Sequence, residues 1–162
     1  MDLVTAAQEG KLTELQTGLA KGLAHAEDLN LANAENVTPL MAAAEAGQGE
    51  VVAWLLSQGA EVNHTDPEGW TALMLCCGAG HLSVAQHLLE QGADPNLQNN
   101  LGLSALMMAA AKGHLAIVDH LLAQGASLDL KDQNSWTALI WAASEGQTAI
   151  VDRIKQARQK TG

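Results

Sequence analysis

The sequence predicts an all-α solenoid of stacked helix-turn-helix units with protruding turn or hairpin loops. Three observations carry that prediction. One motif returns every 33 residues through four units, each return brings its own helix start and stop signals, and the helices so bounded are too short to persist alone.

The motif opens as Thr38-Pro39-Leu40-Met41-Ala42-Ala43-Ala44. It returns as Thr71-Ala72-Leu73-Met74-Leu75-Cys76-Cys77, as Ser104-Ala105-Leu106-Met107-Met108-Ala109-Ala110 and as Thr137-Ala138-Leu139-Ile140-Trp141-Ala142-Ala143. Gly47, Gly80, Gly113 and Gly146 follow in register, each trailed by Gln48, His81, His114 or Gln147. Leu55-Leu56, Leu88-Leu89 and Leu121-Leu122 then precede Gly59-Ala60, Gly92-Ala93 and Gly125-Ala126.

Each unit translates into two antiparallel helices. Thr38, Thr71, Ser104 and Thr137 are good N-caps, and Pro39 sits where a missing N–H is harmless. The glycine at 47 and its equivalents ends the first helix. A second helix carries Val51, Val52, Leu55 and Leu56 at helical spacing until Gly59 supplies a left-handed C-terminal cap. Between units, Asn33, Asp66, Asn99 and Asp132 recur, with Gly69 and Gly102 three places after the second and third, and Asp66-Pro67-Glu68-Gly69 has the preferences of a type I turn. The connection is therefore an extended loop with a tight tip. Asn36 and Ser135 occupy the tip-glycine column, and since serine tolerates positive φ less well than asparagine, the fourth tip is expected to be looser or differently shaped.

Stacking makes the whole chain one domain, 1–162. Residues 1–32 read as a divergent N-terminal capping repeat that keeps Ala6-Ala7, Gly10 and Gly22; 33–65, 66–98 and 99–131 are internal repeats; 132–162 is a C-terminal cap. In that cap the apolar columns turn polar through Arg153-Ile154-Lys155-Gln156-Ala157-Arg158. The first connection is longer than the others around His25-Ala26-Glu27-Asp28, which reads as drift, because loops lengthen cheaply.

Composition agrees with this architecture and excludes several functions. With 162 residues, 48% apolar and 16% charged, the chain can bury a sizeable core. It has no Phe or Tyr, so that core is thin and suits closely packed short helices. Net charge is −10, but residues 1–152 hold four Lys/Arg against 18 Asp/Glu (4 − 18 = −14), while Arg153, Lys155, Arg158 and Lys160 add +4. An acidic body repels phosphate backbones, so nucleic acid is not the expected ligand. The basic tail reads as dipole compensation at the end of a last helix. Cys76 and Cys77 are adjacent and poorly placed to bridge each other; they read as small apolar helix residues in a reducing, cytoplasmic setting. Residues 1–9 show neither a signal peptide nor a membrane span, and no membrane role is expected.

Asp66, Gly69, Thr71, Leu73, Cys77, Gly80, His81, Val84, Leu88, Leu89, Gly92, Ala93, Asp94 and Asn96 together resemble the ankyrin repeat family, and the resemblance spans 33–154. It implies a solenoid that binds proteins through a concave face made of turn tips and first helices. One departure is systematic: the family's histidine after Thr-Pro-Leu, which ties neighbouring turns together, is replaced by Met41, Met74, Met107 and Ile140, so packing must substitute for that network.

The residue before each cap forms a column of Val37, Trp70, Leu103 and Trp136 beside Leu101, an apolar stripe where solvated tips are the norm. Tryptophan buries much area at little rotamer cost, so the stripe reads as partner-binding, the alternative being that each indole folds against its neighbouring tip and shields backbone. At the first-helix flanks, Glu45-Ala46, Gly78-Ala79, Ala111-Lys112 and Ser144-Glu145 leave room in the middle units, and Glu45, Glu68 and Glu145 can meet basic groups at the rim. Ala79 and Lys112 belong to the same surface. The expected partner is a protein or peptide with apolar knobs and some basic residues.

Trp141, in the column of Ala42, Leu75 and Met108, reads as core, and Trp54 as facing the back or a repeat boundary. His81 and His114 read as structural. The column of Trp54, His87, His120 and Arg153 cannot complete a metal set, and no metal or cofactor is expected. No nucleophile with a local base, phosphate-cradling loop or His-Glu-X-X-His occurs, so catalysis is not expected. A non-enzymatic interaction scaffold is the leading reading. Its competitors are a dedicated inhibitor or immunity-type protein blocking one enzyme, and self-association of an otherwise monomeric chain through the tryptophan stripe.

Overall fold

Hydroxyl caps start three of the first helices, and left-handed glycines separate first from second helices. The computed structural model describes residues 2–21 and 29–161. Among them it shows ten α-helices and no strand: α1 (Leu3–Gln8), α2 (Leu12–Ala20), α3 (Pro39–Glu45), α4 (Gly49–Ser57), α5 (Ala72–Ala79), α6 (Leu82–Glu90), α7 (Ala105–Lys112), α8 (Leu115–Ala123), α9 (Ala138–Ser144) and α10 (Thr148–Thr161). Each odd-numbered helix is the first of a unit and each even-numbered helix the second. The long connection around His25–Asp28 lies outside the described residues.

The hydroxyls of Thr38, Thr71 and Ser104 accept from the N–H groups of Met41, Met74 and Met107 at 3.3, 3.2 and 3.4 Å. Each such bond satisfies an orphan donor and stabilises the helix by about 1 kcal/mol. Thr137 departs from expectation: its backbone is extended like the others, but its side chain makes no cap bond. Gly47, Gly80 and Gly113 turn left-handed at φ of 74, 89 and 84°. A β-carbon there would also meet His81, His114 or Gln147 of the next unit at 2.6–2.7 Å. Those side chains reach past the glycine to the preceding first helix: His81 Nε2 lies 3.0 Å from the Glu45 carbonyl, His114 Nε2 3.1 Å from that of Gly78, and Gln147 Nε2 donates to Ala111 at 3.3 Å. The Gly-His element is thus a bolt between units, as the structural reading of His81 and His114 expects.

Small side chains set the spacing. Ala43, Ala44, Cys76, Cys77, Ala109 and Ala110 are fully buried where first helices abut. First helices of successive units therefore pack closely, whereas second helices touch sparsely, so the stack is tighter on the first-helix side. Met41, Met74 and Met107 are each 1% exposed and pack into the core, whereas Ile140 in the same column is 40% exposed, so the expectation that packing substitutes for the family's histidine fails at the fourth unit. A hydrogen bond with the Cys77 side chain, followed by burial, pushes the Cys76 thiol well above its ordinary range.

The turn tips form fingers of one design. Asp66 Oδ1 accepts from the N–H groups of Glu68 and Trp70, both at 2.9 Å, and Asn99 and Asp132 repeat the arrangement. Neighbouring fingers bond through the Asn100 N–H to the Glu68 carbonyl at 2.8 Å and the Gln133 N–H to that of Leu101 at 3.0 Å. Gly102 is needed twice over: its φ is 78°, and a β-carbon would lie 2.7 Å from Asp132 Cα. Ser135 adopts φ of 63° in the same column, and its N–H closes the turn on the Asp132 carbonyl at 2.9 Å. The expectation of a differently shaped fourth tip is therefore corrected, because serine takes up the left-handed conformation that glycine has elsewhere.

At the C-terminal end, α10 is held by Ile150 and Ile154, both buried. Arg153 pairs with Asp119, and Arg158 reaches Asp129 at 3.2 Å and the Leu128 carbonyl at 3.4 Å. Dipole compensation is accordingly an incomplete account of the basic tail: two of its cations tie the last helix to the preceding unit.

Candidate functional site

The concave side combines the fingers with the outward edges of α3, α5, α7 and α9. Val37, Trp70, Leu103 and Trp136 do form a column at the finger bases, but all four are half-buried. Val37, Trp70 and Leu103 lean on the core. The protruding apolar group is Leu101, 55% exposed at the third tip. Glu68 is exposed on the second tip, and Glu45, Ala79, Lys112 and Glu145 are exposed at the C-terminal ends of α3, α5, α7 and α9.

Between the third and fourth units these residues gather around two recesses. One, of about 240 Å³, is lined by Leu103, Met107, Met108, Ala111, Lys112, Trp141 and Glu145. The other, of about 170 Å³, lies toward the tips and is lined by Leu101, Leu103, Asp132, Gln133, Asn134 and Trp141. Leu103 and Trp141 belong to both and form the wall between them. Of the residues expected from sequence, Leu101, Leu103, Lys112 and Glu145 are brought together here. Val37, Trp70, Glu68, Glu45 and Ala79 lie outside these recesses, and Trp136 touches Trp141 but lines neither.

Trp141 requires a correction. It packs against the core, yet it is half-buried and lines both recesses rather than filling the interior. Two contacts hold it there. Its indole N–H donates to Asp132 Oδ2 at 3.0 Å, and its ring meets that of Trp136 edge-on, with centroids 5.0 Å apart and planes at 67°. Asp132 is buried and its other oxygen holds the finger, so one carboxylate fixes both turn and indole. In the preceding unit Met108 holds the position of the indole, and its side chain lies over Gly78, whose added β-carbon would sit 3.0 Å from Met108 Cε.

Sequence reasoning missed Trp141, Met107, Met108, Asp132, Gln133 and Asn134 as lining residues, while Ala111 reads from sequence as a small flank that leaves room. A signal for Trp141 exists in its column: Ala42, Leu75, Met108 and Trp141 vary widely in size, whereas the core columns beside them hold only small residues or only methionine and isoleucine. Ala42 is buried, but the larger Leu75, Met108 and Trp141 are all partly exposed, so the column borders open space where its side chains are bulky. Finding the recess itself needed the Asp132–Trp141 bond, which spans two columns.

Among the described residues no group of three or more His, Cys, Asp or Glu is placed to hold a metal, and no helix is long and apolar enough to cross a membrane. A further hollow of about 370 Å³ on the second-helix side is lined by Leu122, Leu128, Asp129 and Arg158 among others, and the Asp129–Arg158 ion pair belongs to its wall. A family model described as ankyrin repeats, in three copies, matches residues 3–99 and 91–160. No curated protein sequence matches the chain.

Proposed function

Because the chain belongs to the ankyrin repeat family, whose repeats generally mediate protein–protein interaction and are typically non-enzymatic, we propose that it is a binding module that holds a protein partner on its concave face and turn tips. The observation that carries this reading is the fixed apolar wall of Leu103 and Trp141 with a recess on either side. A rigid aromatic surface presented to solvent loses little conformational freedom on association, which is how interface anchors gain affinity. The partner presents apolar side chains to this wall and basic groups to Glu45, Glu68 and Glu145, as an acidic body favours.

The test is to capture the partner from native lysate and titrate it against wild type and the Trp70→Ala, Trp136→Ala double variant. Trp136 steadies the Trp141 ring and Trp70 is its counterpart two fingers away, so the double variant is expected to weaken binding roughly a hundredfold while remaining folded. Full affinity in a folded double variant contradicts the reading.

A further inference from the structure

We propose that the paired recesses flanking Trp141 seat a short linear segment of the partner that carries two bulky apolar side chains and, beside the one in the larger recess, a lysine or arginine. The inference rests on the concave face being the binding face and adds the chemistry of what it binds.

Size argues for side chains rather than a free small molecule. At about 240 and 170 Å³ the recesses fall below the usual range for pockets that enclose a whole ligand. Each suits one large apolar side chain, and because they share Leu103 and Trp141 one segment crossing that wall can fill both.

Both walls are prepared before anything binds. Leu103 is pinned at its backbone, its N–H donating to Asn99 Oδ1 at 2.9 Å and its carbonyl accepting from the Asn99 N–H at 3.0 Å. Trp141 is pinned through Asp132 and Trp136. Met107 and Met108 line the larger recess with unbranched thioether chains that adapt to different occupants. The site is thus rigid at its wall and soft at its floor.

Charge selects the neighbouring group. Lys112 and Glu145 face the larger recess from adjacent units, and neither has an ion-pair partner among the described residues. Lys112 lies in the last turn of α7, where the negative end of the helix dipole offsets it, whereas Glu145 caps the C-terminal end of α9, where the same dipole opposes a carboxylate. A cation from the partner relieves that opposition, meets the excess of acidic groups in residues 1–152, and can lie near the face of Trp141.

Random linear peptides displayed on phage and selected against the wild-type protein test this directly. Enriched peptides are expected to share two bulky apolar residues with a Lys or Arg next to one of them. A synthesised representative should perturb tryptophan fluorescence, bind Ala111→Met about thirtyfold more weakly because the larger recess is filled, and bind Glu145→Lys about tenfold more weakly. Glu145 is exposed, so the second variant keeps a folded comparison available if the first is destabilised. Selection that enriches nothing, peptides without the pattern, or binding indifferent to both variants overturns the proposal. Peptides indifferent to both variants but lost with the Trp70→Ala, Trp136→Ala double variant overturn the recess and leave concave-face binding standing. Peptides that protect only α4, α6 and α8 overturn both.

Discussion

Met107 and Ile140 hold the same position in successive first helices, yet one is 1% exposed and the other 40%. The contrast extends through the third and fourth units. Gly102 faces the backbone of the next finger, while Ser135 replaces it where no described finger follows. Gly113 receives Gln147, while a β-carbon on Gly146 would meet nothing within 4 Å. Asn96 bridges to the next unit through the Gly125 carbonyl and the Ser127 N–H, while Asp129 in that column takes Arg158 from α10 instead. A repeat residue therefore has no fixed energetic meaning. Its contribution comes from what the following unit places upon it, as expected for a stack stabilised by neighbours.

The largest expected effect lies in the methionine column. Met107→Ala should lose about 2–5 kcal/mol by leaving a cavity between units, whereas Ile140→Ala should lose less than about 1 kcal/mol, both read from equilibrium denaturant unfolding. Equal losses would mean that the fourth unit is as enclosed as the third. Next comes the tip column. Gly102→Ala should cost about 2–3 kcal/mol, combining a left-handed alanine with a β-carbon against Asp132, while Ser135→Gly should change stability by no more than about 0.5 kcal/mol, since relief of strain is offset by chain entropy. Smallest is the bridging column. Asn96→Ala should lose about 1–2 kcal/mol through two bonds to the next unit, and Arg158→Ala no more than about 1 kcal/mol, shrinking as salt is raised, because the pair with Asp129 is exposed.

Most of this fold was legible because its determinants are local and periodic. Cap, break and stop signals recur with the repeat, and only stacking can bury the faces they define. Of the proposed binding surface, Leu101, Leu103, Lys112 and Glu145 line the two recesses, because column positions and tip positions follow directly from the repeat register. Trp141 was misjudged because an aromatic inside a helix of alanines looks interior, and its orientation depends on a hydrogen bond to Asp132 nine residues earlier. The half-burial of Trp70 and Trp136 leans toward the alternative in which the indoles fold inward, a choice the sequence leaves open because a column position fixes where a side chain starts but not which neighbour it lies on. Ser135 shows the opposite limit, where intrinsic preference pointed to a looser tip and the Asp132 turn overrode it.

Amide hydrogen exchange on the protein with and without its captured partner tests the central claim most directly. Binding at the concave face predicts slowed exchange in the third and fourth fingers and at the C-terminal ends of α7 and α9, with α4, α6 and α8 unchanged. Protection confined to the second helices would contradict it.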